Sequence, residues 1–215
     1  MYAAILGDAT LFPLFLQFLL QIDRDLAAQA RRKGCIHCGG VLHSADYRRK
    51  PRGLGPLGID PGPESVVCFS FCCDADGCRR RHKAPSVRFL DRKVYLSVMV
   101  LLLSAMRQGP TRPTARELKE RFGVDRRTLA RWRTWWQAIL PSSAPWQRAR
   151  GLFCPPPREL DLPQSLLDRF TDGDLRERIV AALRFLAGLF SPSGAFRGSA
   201  QIRRVWALRT SRSFP

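Results

Sequence analysis

Cys35 and Cys38 stand two residues apart in a run that ends Gly39-Gly40, and a second group of thiols, Cys72, Cys73 and Cys78, follows some thirty-five residues later. Two thiols at the first spacing sit on one tight knuckle whose backbone aims both sulfurs at a single point, and the glycines let the chain turn away. A second pair closes a tetrahedron around one ion. The chain is therefore expected to fold a small β ribbon around a structural zinc site, Zn2+ holding it together without doing chemistry. In the strand-like segment from Val66 to Cys73 alternate side chains point to opposite faces, so Cys72 and Cys73 do not both face one metal. The expected ligands are Cys35, Cys38, Cys73 and Cys78, with Cys72 as substitute. The spacing from Cys78 to His82 also keeps a set of three cysteines and His82 open. His37 and His43 read as solvated or packed.

Charge gives the second constraint. Thirty-six Lys and Arg against 18 Asp and Glu leave +18, and arginine supplies most of the excess. A balance this basic attracts a polyanion, of which nucleic acid is the commonest. The basic residues are also clustered, with 11 against 3 acids between Arg107 and Arg150. The clustering sets this chain apart from one that is merely arginine-rich throughout.

The segment from Thr114 to Trp132 reads as helix, turn, helix. Thr114 and Glu117 have the spacing of a capping box, Gly123 suits the turn, and Asp125 is placed to cap a second helix expected to stop at Pro141. Leu118, Phe122, Val124, Leu129 and Trp132 fall where the two helices face each other, and the apolar stretch from Arg92 to Met106 supplies a third helix. In a helix-turn-helix the first turns of the second helix meet base edges in the major groove. Arg126, Arg127, Thr128 and Arg131 lie there, with Arg133 and Thr134 placed for backbone contacts farther along. Arg127 and Arg131 are four apart and share a face, and the arginine fork pairs with guanine edges or clamps phosphate. Lys119 stands where such units usually carry a small residue. Trp132 and Trp136 are expected to anchor the second helix to its core.

The string Cys35-x-x-Cys38-Gly39, Tyr47-Arg48-Arg49-Lys50-Pro51-Arg52-Gly53, Phe69-Ser70-Phe71-Cys72-Cys73, Gly77-Cys78-Arg79-Arg80-Arg81 and Pro85-Ser86-Val87-Arg88-Phe89-Leu90 resembles a group of bacterial proteins associated with mobile elements. More loosely, ribbon followed by helix-turn-helix is similar to the DNA-binding N-terminal half of zinc-ribbon transposases. The resemblance implies a role on element DNA. Those enzymes continue into a long catalytic core with spaced carboxylates, for which this chain has no room. Asp161, Asp168, Asp172, Asp174 and Glu177 cluster in one stretch and read as surface and capping groups.

The expected fold class is mainly α with a small β zinc ribbon, followed by a three-helix helix-turn-helix unit and further helices. The expected divisions are an amphipathic helix in 1–33, the ribbon in 34–90, the helix-turn-helix in 91–141, a Pro-rich extended connector in 142–164, a helical segment in 165–190 and a basic tail in 191–215. Residues 49 to 63, rich in Pro and Gly, read as loop. Leu175, Ile179, Leu183 and Leu186 form a stripe suited to docking or a homodimer. Cys154 reads as a buried small side chain. No apolar run reaches the length of a bilayer helix, and an odd number of thiols with no secretory signal before them predicts a reducing cytoplasm, at the nucleoid. The chain is expected to be no enzyme, its partners double-stranded DNA and a transposase or recombinase. The competing reading is an interaction module that recruits a recombinase and binds nucleic acid without reading sequence.

Overall fold

A computed structural model describes residues 2–60, 62–90, 93–109 and 112–190. The protein is mainly helical, with two small antiparallel sheets among the described residues. Helix α1 (Tyr2–Gly7) leads into α2 (Leu11–Lys33), whose start is held by the Asp8 carboxylate accepting from the Thr10 and Leu11 N–H groups at 2.9 and 2.7 Å. The expected amphipathic helix is present. Phe12, Leu16 and Leu20 go inside with Phe15, Leu19 and Ile22, while Leu11 and Leu14 face outward.

Five short strands follow: β1 (Leu42–Ser44), β2 (Tyr47–Arg48), β3 (Val67–Cys68), β4 (Ser70–Cys73) and β5 (Arg81–Lys83). Strand β4 lies between β1 and β5, with Leu42 opposite Cys73 and Cys72 opposite Arg81. Past a bend, the segments that carry β1 and β4 pair again as β2 with β3, Tyr47 opposite Cys68. The excursion between β2 and β3 is more than the expected loop. It folds a 3-10 turn at Gly55–Leu57 and a short helix α3 (Gly62–Ser65), and it buries Leu54 and Ile59 in the main core.

Helix α4 (Ser97–Gln108) is buried without interruption from Ser97 to Ala105. An apolar run with no polar face belongs in the centre of a fold, and α4 takes that place. Around it lie α5 (Ala115–Phe122), α6 (Arg126–Thr134), α7 (Leu140–Ser142), α8 (Ala144–Ala149), α9 (Gln164–Leu167) and α10 (Leu175–Leu189). Pro141 does not end the helix as expected. A π turn at Trp135–Ile139 joins α6 to α7, with the Leu140 N–H donating to the Trp135 carbonyl five residues back. The wider turn relieves the clash between a proline ring and the preceding turn of helix, and the rod ends only at Ser143, whose hydroxyl caps α8.

One further expectation fails on packing. The stretch 142–164 is no extended connector: α8 and two 3-10 turns fold it back, burying Trp146, Phe153 and Leu162. Of the two uses expected for the stripe on α10, the structure shows docking within the chain, with Ile179, Leu183 and Leu186 all inside the main core. One apolar cluster runs from Leu6 to Leu189, and a smaller one under the sheet comprises Ala27, Cys35, Leu42, Phe71, Cys73 and Ala84. The basic tail expected in 191–215 lies outside the described residues. No helix among those described is long and apolar enough to cross a membrane.

Candidate metal centre and basic helix

The end of α2 delivers Cys35 into a knuckle closed by two backbone bonds, Cys35 N–H to the Gly40 carbonyl (2.9 Å) and Gly39 N–H to the Cys35 carbonyl (2.8 Å). A Cβ on Gly40 would stand 3.2 Å from the Cys73 sulfur and 3.3 Å from that of Cys38. Glycine there is what lets the chain pass its own thiols. The second knuckle leaves β4 at Cys73 and returns through Cys78, whose N–H donates to the Ala75 carbonyl at 3.0 Å. The two turns bring Cys35, Cys38, Cys73 and Cys78 together with all four sulfurs within 4.8 Å of one another. Cys35 and Cys78 are 3.7 Å apart, Cys38 and Cys73 3.4 Å. Four converging thiols could hold a metal ion, and among the described residues no other group of Cys, His, Asp and Glu does so.

The electrostatics suit a cation. Burial works against ionising Cys35, but the N–H groups of His37 and Cys38, with the neighbouring thiols, outweigh it and bring Cys35 down to about 5. Burial pushes Cys73 up to about 12, and the adjoining sulfurs add to the rise. Cys35 ionises readily while Cys73 resists, because burial and the sulfurs packed against it both disfavour a further thiolate, and a positive ion between them would offset both.

The remaining thiols separate by face. Cys72 points away from the cluster, its sulfur near the Arg79 and Cys73 carbonyls, as strand alternation requires. Cys68 is buried in the main core. Cys154 is exposed, against the expectation of a buried side chain, because the 3-10 turn before it carries Phe153 inward instead. His82 is mostly buried on β5, with Nε2 3.1 Å from the Cys35 sulfur. It lies beside one thiol and is not among the converging ligand atoms. His37 and His43 are exposed, as expected.

The second candidate region is the pair α5 and α6. Thr114 accepts from the Glu117 N–H at 3.1 Å, but the Glu117 carboxylate turns to Arg121 at 3.7 Å, so the expected capping box is only half made. Gly123 takes a left-handed φ of 63°, and the Asp125 carboxylate accepts from the Thr128 N–H at 2.6 Å. That bond, from a backbone donor at a helix start, holds Asp125 below the usual carboxylate range, with Arg131 and Arg127 adding to the effect.

Around α6 the six residues singled out by sequence fall on different faces. Thr128 is buried and its hydroxyl accepts from Arg131 Nη2 at 3.0 Å. Arg127, Arg131 and Thr134 are exposed, four and three residues apart along one side. Arg126 and Arg133 are exposed on another side, where they line a cleft, and Arg133 Nε donates to Gln137 at 3.0 Å. Trp132 and Trp136 are buried beneath, Trp132 edge-on to Tyr95 with ring centres 5.1 Å apart. Lys119 is exposed. The cleft itself has no signature in the sequence, because its wall at Leu160 and Asp161 comes from the stretch that reads as connector.

The carboxylates sit as capping and surface groups. Asp174 and Glu177 form a reciprocal capping box at the start of α10, and Asp161 pairs with Arg158 at 2.9 Å. Comparison with family models, with curated proteins and with solved structures finds no match for the chain.

Proposed function

We infer that the chain is a zinc-stabilised DNA-binding protein of a mobile genetic element, acting as a transcriptional regulator or as an accessory factor in transposition or recombination. In this reading the four-cysteine cluster is a zinc ribbon and α5 with α6 a helix-turn-helix. The observation that carries it is the division of α6: Arg127 and Arg131 on an outward face, Trp132 and Trp136 locked into the core behind them. An arginine face held rigidly from behind is what major-groove reading needs. Zinc is favoured as the ion because sulfur separations of 3.7 and 3.4 Å approach the edge of about 3.8 Å of a tetrahedron with sulfurs about 2.3 Å from zinc. The link to mobile elements rests on the sequence resemblance. In the cytoplasm, at the nucleoid, such a protein would mark element DNA without catalysing a reaction on it.

The test is to incubate zinc-loaded protein with a fragment library of its own genome at near-physiological salt and sequence what is retained. One enriched short motif, near element ends or its own promoter, is the expected result. Uniform retention overturns sequence reading.

A second reading, a module that recruits a recombinase or pairs with its own copy, draws on α2. There Leu11 and Leu14 are 41% and 46% exposed and lie three residues apart, an apolar edge without cover among the described residues.

A further inference from the structure

His82 lies on β5, is 7% exposed, and places Nε2 3.1 Å from the Cys35 sulfur, a residue 47 positions away in the chain. Strand pairing puts it there. His82 stands opposite Phe71 on β4, and residues directly opposite one another share a face of the sheet. Phe71 is two residues from Cys73, so that face is the one turned to the thiols. His37 takes a different place: it is exposed, and its Nδ1 accepts from Arg80 Nη1 at 2.9 Å. The two imidazole rings are 5.5 Å apart, yet one is engaged by a guanidinium at the surface and the other by a buried thiol.

That thiol has a particular need of donors. Cys35 is 3% exposed and packs with Ala27, Leu42, Phe71 and Ala84. A metal-binding cysteine is a thiolate, and four thiolates carry twice the charge of one divalent ion. Excess negative charge in an apolar setting is unfavourable unless hydrogen bonds meet it. The backbone N–H groups of His37 and Cys38 supply two such bonds from within the knuckle. His82 reaches the same sulfur from the sheet. A thiolate has no proton to give, so beside it the ring nitrogen is the donor.

We propose that His82 is a positioning residue of the metal centre: its Nε2–H donates to the Cys35 thiolate, fixes that sulfur and offsets part of its charge, so that zinc is held more tightly and the thiolate reacts more slowly with electrophiles. The proposal rests on the zinc reading of the four cysteines. Bonds of this outer kind orient metal ligands, and their loss lowers metal affinity by about 10- to 100-fold. Direct ligation by His82 would require Nε2 among the converging atoms, and the group that lies within 4.8 Å of one another is the four sulfurs.

The experiment uses the full chain, unaltered and as His82→Phe and His82→Gln, loaded with zinc or with an NMR-active isotope of cadmium. Phenylalanine fills the space without a donor, whereas glutamine gives up the ring and keeps a donor. In chelator competition His82→Phe should bind zinc about tenfold more weakly than the unaltered chain, and His82→Gln should recover part of the loss. Iodoacetamide should release zinc faster from His82→Phe than from the other two. In the unaltered cadmium protein the proton on His82 Nε2 should couple to the metal across the Cys35 sulfur, with no direct coupling from the nitrogen itself.

Unchanged affinity and alkylation rate in His82→Phe overturn the proposal. Direct coupling between cadmium and Nε2 also overturns it, because His82 is then a ligand. Weaker binding by both variants with no proton coupling in the unaltered chain reduces His82 to packing and overturns it as well. The cadmium spectrum needs no variant, so it decides even where His82→Phe fails to fold. An unaltered chain that binds neither ion ends the zinc reading and the proposal together, whereas a loaded chain indifferent to His82 ends the proposal alone.

Discussion

Arg88 Nε lies 2.8 Å from Asp23 Oδ2, with both side chains 1% exposed, so α2 is joined to the segment between β5 and α4 by a fully buried ion pair. Neither group is left with unmet bonds. Asp23 also accepts from the Val87 N–H and the Ser86 hydroxyl, and Arg88 donates to the Ser65 and Val67 carbonyls. Burial holds the Asp23 carboxyl above its usual range, with the Arg88 charge offsetting only part of the rise. Breaking such a pair strands a charge in the interior. Arg88→Ala is expected to destabilise the protein by about 3 to 5 kcal/mol in urea unfolding, and Asp23→Leu with Arg88→Met to recover a large part of that loss.

Metal content separates the seven thiols by position. Cys35→Ser and Cys73→Ser should each lose bound zinc on elemental analysis, whereas Cys72→Ser and Cys68→Ser should keep one ion per chain. A chelated sample that keeps its full melting profile and spectrum would remove the structural role of the ion.

Zinc affinity should fall as the pH is lowered through neutrality. In the metal-free cluster Cys73 is held protonated up to about 12 and Cys38 is raised in the same direction, whereas Cys35 ionises above about 5. Binding at neutral pH therefore expels protons, and each one released weakens the apparent affinity by about tenfold per unit fall in pH. A slope near zero between pH 6 and 8 in a chelator competition would contradict this ordering.

Arg127→Ala and Arg131→Ala are expected to cost about 1 to 3 kcal/mol at a preferred DNA site and to relax preference there. Equal losses on all sequences, read by anisotropy at fixed salt, would assign both side chains to phosphate.

Gly123 and Gly58 both have left-handed φ values, 63° and 64°, but a Cβ at 123 would meet Pro56 Cγ at 2.9 Å, while a Cβ at 58 meets nothing within 4 Å. Gly58→Ala should carry only the backbone penalty, about 1 kcal/mol. Gly123→Ala should lower the melting temperature further, by the added contact with Pro56.

What the sequence disclosed follows the range of each interaction. Strand alternation is a nearest-neighbour rule and so tells that only one of Cys72 and Cys73 faces the cluster, though not which, and Gly123 and Asp125 announce a turn and a cap within a few residues. The partnership of Asp23 with Arg88, 65 residues away, leaves no local trace. Leu54 and Ile59 hid in a stretch whose Pro and Gly content speaks for loop, and only the space beneath α5 gives them a place inside. Pro141 misled because the rule against proline in helices assumes α geometry, and the π turn before it changes the premise. The α10 stripe was visible, but periodicity tells that a face is covered and not by what.

Strands β2 and β3 close like a clasp below the excursion from Arg49 to Val66, Arg48 opposite Val67 and the Arg49 N–H donating to the Val66 carbonyl. Its two ends are therefore neighbours whatever the chain does in between. Residues can be inserted at its exposed stretches with little entropic penalty and without shifting the cysteine register. Its inner end is less forgiving: Leu54, Ile59 and Pro56 are the wedge under the α5–α6 turn. A chain of this kind can vary the outer rim of that excursion freely while its wedge stays fixed, so tags and reporters belong on the rim.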